Sequence, residues 1–177
     1  MKNCNTVVFN FLVVMLFVFL NPLYALTICA VVNFMNYRIN FWLFSIMFAS
    51  SFGLFFFMRD WNVGYDAIYY VKEFQAANNY SLIDFFFHID ISHTGMEPLW
   101  KAYSWLSRVI IGDRVDFFAF IHLFITFLVT AYLGKVIDEK RFIVVVACLL
   151  FVDGGFFANV WQVWRHTVAL LLFFIGI

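Results

Sequence analysis

Residues 115–134 read VDFFAFIHLFITFLVTAYLG. A helix needs about 20 mostly apolar residues to cross the hydrocarbon core of a bilayer, and this run supplies them with one carboxylate, Asp116, near its start. Its histidine, His122, falls mid-run, where an intramembrane imidazole faces the bundle interior or a cavity. The charged loop KVIDEKR (135–141) ends the run, and a further apolar run, 142–157, follows at once. In lipid only helices and closed barrels satisfy every backbone N–H and C=O. These runs are too long and continuous for tilted strands, so the reading is helical.

The whole chain agrees with that stretch. Of its 177 residues 65% are hydrophobic, 23% aromatic and 12% charged, and the mean hydropathy is +0.91. Soluble domains run at roughly 45–50% apolar and about 25% charged, so the composition does not fit a soluble globular enzyme and rules out disorder more firmly. The 27 phenylalanines suit lipid-facing and interfacial surface. The 11 basic and 11 acidic residues cancel, leaving no global field to gather nucleic acid. Cys4, Cys29 and Cys148 stand far apart and form no CxxC pair, so they offer no zinc or haem signature and no disulfide framework.

Working outward, a first apolar stretch covers residues 7–32, interrupted by Asn10, Asn21 and Pro22. It reads as one tilted span kinked at proline; a signal peptide, with Lys2 before the run, is the rival reading. Residues 41–58 form the second span, 115–134 the third and 142–157 the fourth. A partial fifth, 166–177, is too short to cross a bilayer, so the sequence reads as the N-terminal part of a longer multi-span chain. The expected fold is all-α: a polytopic transmembrane helical bundle forming a single membrane domain, with a polar loop over residues 59–114 on the outer face. Within that loop, Leu99, Tyr103, Leu106 and Ile110 share one helical face and Lys101, Ser104 and Arg108 another, as in an amphipathic helix lying at the interface. Arg38, Lys135, Lys140 and Arg141 occupy short loops on one face, which is then cytoplasmic. This puts the N-terminus and residues 59–114 outside, with Lys2 on the less favoured side.

The chemistry-bearing residues gather in the outer region. Arg59 sits at the end of the second span, either snorkelling to headgroups or gripping a phosphate with two parallel hydrogen bonds. Asp66, Tyr70 and Glu73 fall on one face of a helix starting near Asp66. Asp66 either caps that helix or joins Tyr69 and Tyr70 in lining a carbohydrate site. Ser81 and Asp84 have capping-box spacing, and so do Thr94 and Glu97. Glu97 is alternatively a general base beside a membrane-bound substrate. The stretch HIDISH (88–93) matches no established metal-ligand spacing. Arg165 and His166 enter the last run from the outer face, so Arg165 and Arg59 converge on one side.

Three motifs in order complete the reading: MRDWNVGYDAIYY (58–70), of the form R…GxD…Y; EPL (97–99); and WRHTVALLL (164–172). Together they resemble the EpsG family of bacterial exopolysaccharide proteins, which is similar to the Wzy-type polysaccharide polymerases, over about residues 41–177. The resemblance implies a multi-pass protein of the bacterial cytoplasmic membrane that joins oligosaccharide repeat units carried on a polyprenyl diphosphate. It implies that Arg59 and Arg165 hold the diphosphate leaving group, that Asp66 and Glu97 bind or deprotonate the acceptor hydroxyl, and that Tyr69, Tyr70 and His166 contact substrate. The family usually carries glutamine where this chain has His166. The donor is activated by its own diphosphate, so no nucleotide sugar is required; no cofactor and no nucleic-acid partner is expected and no residue is assigned to a metal, while the bilayer and other glycan-assembly membrane proteins are expected partners. The alternatives are a flippase for lipid-linked glycans and a non-catalytic subunit of a glycan-assembly complex.

Overall fold

The computed structural model describes residues 2–58, 67–77, 81–87 and 98–152. They form eight helices: α1 (Lys2–Phe19), α2 (Pro22–Phe34), α3 (Phe41–Phe57), α4 (Ala67–Ala76), α5 (Leu82–Phe87), α6 (Pro98–Ile111), α7 (Val115–Ile137) and α8 (Phe142–Val152). No strand occurs among the described residues. The chain divides into two compact units. Of the described residues, 2–58 and 123–152 build one, and those between 67 and 122 build the other.

The first unit corrects the expected single span over residues 7–32. The Asn21 side chain accepts a hydrogen bond from the Leu23 N–H at 3.0 Å, and Pro22 opens α2. An Asn cap followed by proline at the first helical position starts a new helix and does not kink an old one. Neighbouring contacts show where the chain goes next. Asn10 accepts from the Asn40 N–H at 3.0 Å, and the Ser51 hydroxyl donates to the Phe17 carbonyl at 3.2 Å. Helix α1 therefore runs parallel to α3, and α2 returns between them. Helices α1 and α2 are an antiparallel hairpin, so α1 begins at the end that carries loop 35–40, opposite to the expectation.

A Schellman turn closes α2: the Asn36 N–H donates to Asn33 O at 3.0 Å and the Tyr37 N–H to Val32 O at 3.3 Å. Asn36 takes the left-handed conformation at φ 64°, which asparagine tolerates better than most side chains. Asn40 then caps α3 through the Leu43 N–H. The core of this unit is aromatic. Phe44 and Phe48 stack at 5.4 Å, Phe17 meets both edge-on, and Phe127 closes on Phe48 and Phe52. Gly134 allows α7 and α8 to touch, because a Cβ there would lie 2.6 Å from Val146 Cγ2 and 2.8 Å from the Phe142 carbonyl oxygen.

Among the described residues only α7 is long and apolar enough to cross a membrane by itself. Residues 7–19, α2 and the first fifteen residues of α3 are shorter apolar helices. At 1.5 Å per residue the 13 residues of α2 reach about 20 Å, short of the roughly 30 Å hydrocarbon core. The surface is nonetheless inverted relative to a soluble fold. Val8, Phe11, Phe19, Trp42 and Leu54 are exposed, while Asn33, Ser45, Thr126 and Thr130 are buried. Such an exposed apolar surface marks a membrane or partner contact.

The region read as an outer polar loop is helical where it is described, with α4, α5 and α6 inside it. Ser81 caps α5 at the expected spacing: its hydroxyl accepts from the Asp84 N–H at 3.2 Å and donates to Asp84 Oδ2 at 2.6 Å. Gly112, at φ 74°, turns the chain from α6 into α7.

Candidate functional site

In the second unit α4 and α6 each start one residue after a motif carboxylate. Asp66 precedes Ala67, and Glu97 precedes Pro98. The two helices meet about one turn in, where the Tyr70 and Trp100 rings lie 4.8 Å apart. One turn further along α4, the Trp100 indole N–H donates to Glu73 Oε2 at 3.1 Å. Both are almost fully sealed, Trp100 at 1% exposure and Glu73 at 2%. A buried carboxylate demands hydrogen-bond partners, since desolvating a charge without them is costly, and indole N–H is donor-only.

Helix α7 completes the cluster with its first two turns. Phe118 stacks on Phe74 at 4.2 Å, and His122 lies edge-on to Trp100 at 5.9 Å. The Tyr103 hydroxyl approaches His122 Nδ1 at 3.4 Å. Burial pushes the Tyr103 phenol up to about 12, with a hydrogen bond to Ser107 pulling the other way. The phenol therefore stays neutral and keeps its proton at any physiological pH.

Helix α6 turns its polar face inward. Trp100, Ser104, Ser107 and Arg108 are buried, whereas Leu106, Val109 and Ile110 are exposed. Arg108 donates to the Gly112 carbonyl at 3.1 Å, pairs with Asp113 and lies 5.2 Å from the Phe74 ring centroid. These contacts fasten the end of α6 to α4.

Tyr69 and Tyr70, adjacent in sequence, part company on α4. Tyr70 is enclosed against Trp100, while Tyr69 is half-buried with the Lys72 ammonium 5.9 Å from its ring. Arg59, Asp66, Glu97, Arg165 and His166 lie outside the described residues, as does HIDISH. Among the described residues no group of His, Cys, Asp or Glu is arranged to hold a metal. The sequence reading names Tyr70 and Glu73 as one face but passes over Trp100, their shared partner 27 residues beyond Glu73. The available signal was a tryptophan directly behind the EPL motif.

The EpsG family profile matches residues 41–177, more than three quarters of the chain. The chain belongs to the EpsG family. The match bears out the resemblance read from the sequence over about residues 41–177. Membership places this EpsG-family chain among membrane proteins of polysaccharide biosynthesis. Comparison with curated proteins and with solved structures gives no match.

Proposed function

We propose that this EpsG-family chain is part of a polymerase that joins oligosaccharide repeat units carried on polyprenyl diphosphate, at the outer face of the bacterial cytoplasmic membrane. The observation that carries the reading is the meeting of α4 and α6 at Tyr70, Glu73 and Trp100. Two helices, each entered directly from a motif carboxylate in the sequence, are held in register by a buried contact between residues 27 apart. On this reading Asp66 and Glu97 orient and deprotonate the acceptor hydroxyl. Arg59 and Arg165 stabilise the charge that develops on the departing diphosphate. Tyr69 and His166 contact substrate, and Tyr70 acts with Trp100 to fix the site's frame.

Orientation supports the reading. With α1 and α2 as a hairpin, the start of α1, loop 35–40 and loop 138–141 share one end of the first unit. Lys2 then counts with Arg38, Lys140 and Arg141 in a single basic, cytoplasmic face, and the N-terminus is inside. A flippase would need polar groups along a path through the membrane. Among the described residues the nearest features on α7 are His122, which lies against Tyr103 and Trp100, and the buried Thr126 and Thr130, where Thr130 donates its hydroxyl to the Thr126 carbonyl of its own helix at 2.9 Å.

The test is substitution in cells carrying the complete gene. Arg59→Lys or Arg165→Lys retains charge but removes the bidentate fork, and each is expected to reduce long polymer sharply at unchanged protein level. Unchanged polymer length in both variants would defeat the diphosphate assignment.

A further inference from the structure

The first unit carries a cleft of about 550 Å³ where loop 35–40 meets the α7–α8 turn. Its lining includes Asn33, Tyr37, Arg38, Lys135, Glu139 and Lys140. Three cations face one carboxylate, and among the described residues no acidic side chain forms a salt bridge with Arg38, Lys135 or Lys140. The nearby Asp138 does not supply the missing charge, because its Oδ1 accepts from the backbone N–H groups of Lys140 and Arg141 at 2.9 and 3.1 Å. Lys135 is steadied by the Phe41 ring, 4.5 Å from its ammonium. Asn33, 4% exposed, donates its amide N–H to the Lys140 carbonyl at 3.2 Å, while its Oδ1 is buried with no partner. A lone buried acceptor calls for a donor.

The cleft thus asks for an anion that also carries a hydroxyl or N–H donor. We propose that it binds the phosphodiester headgroup of an anionic membrane lipid, with Arg38, Lys135 and Lys140 on the phosphate and Asn33 Oδ1 accepting from a headgroup hydroxyl such as that of phosphatidylglycerol. A lipid is the favoured source over a free phosphorylated metabolite because exposed Phe34, Met35, Tyr37 and Trp42 surround the same end of the unit. Of these, Tyr37 and Trp42 are of the type enriched at headgroup level, and basic clefts on the cytoplasmic side of helix bundles suit acidic headgroups. The proposal rests on the membrane reading of the chain and not on its polymerase chemistry.

The test is lipid retention by the purified chain in detergent, read by native mass spectrometry with phosphatidylglycerol or phosphatidylcholine added at equal concentration. The parent is expected to retain phosphatidylglycerol with a preference of about fivefold per engaged cation. R38Q/K140Q should cut the ratio to the roughly fivefold that Lys135 alone supplies, while R114Q, an exposed cation of the second unit, keeps the parent's ratio. Thermal unfolding of each variant checks that it is folded. Resistance to excess glycerol 3-phosphate supports the lipid; displacement by it overturns the lipid source in favour of a soluble phosphate ligand. Equal retention of the two lipids by the parent, or full preference in R38Q/K140Q, overturns the site. Polymer length plays no part in this readout, so either proposal can fail without the other.

Discussion

Phe48 and Trp100 are both fully buried aromatic side chains, one in each unit, and they keep different company. Around Phe48 are other rings: Phe17, Phe44, Phe52 and Phe127. Around Trp100 are Tyr70, Tyr103, His122 and the Glu73 carboxylate. The first arrangement is non-directional, and shape and apolar area stabilise it. The second is directional, because a hydrogen bond must be made at a set place or a buried polar group goes unsatisfied. A unit of the first kind serves as a scaffold. A unit of the second kind fixes side-chain positions, which is what a reacting site requires.

The largest expected effect tests the scaffold. Phe48→Ala should destabilise by about 3–5 kcal/mol through lost burial and the cavity left behind, read as a lowered unfolding midpoint in detergent. A shift equivalent to less than about 1 kcal/mol would mean that the ring cluster is loosely packed.

Trp100→Phe probes the directional unit more finely. It keeps a ring in place but removes the N–H that Glu73 accepts. A cost of about 1–3 kcal/mol is expected, and Glu73→Gln in the same background should cost less than in the parent, as coupled partners do. Strict additivity in that double-mutant cycle would show that the two side chains do not act together.

The smallest effect is silent at neutral pH. The folded Tyr103 phenol, at about 12, lies above its ordinary value of 10. Its contribution to stability is therefore complete below about pH 10 and lost as pH rises towards 12. Ultraviolet titration and unfolding at rising pH should show this limb in the parent and not in Tyr103→Phe. An identical limb in both would assign the loss to other groups.

Much of this was legible in sequence. Residues 115–134 give α7 directly, and Ser81 and Asp84 give the cap of α5, because periodicity and capping are local. The Asn21-Pro22 break was visible, but its meaning was not. A kinked helix and a hairpin share the same local signal, and the contacts of Asn10 with Asn40 and Phe17 with Ser51 decide between them. The two faces of α6 were also readable, yet not which one turns inward. Near lipid the polar face of Ser104 and Arg108 is the buried one, the reverse of the soluble rule. At the site, Glu73 stood out as a carboxylate on a helical face, whereas its pairing with Trp100 depends on how α4 meets α6.

The claim that this EpsG-family chain belongs to a glycan polymerase is tested most directly by deleting its gene and sizing both surface glycan and lipid-linked intermediates. The account predicts loss of long chains, with single repeat units accumulating on the lipid at the outer leaflet. Unchanged chain lengths and unchanged intermediates would contradict it, and accumulation confined to the inner leaflet would point to the flippase.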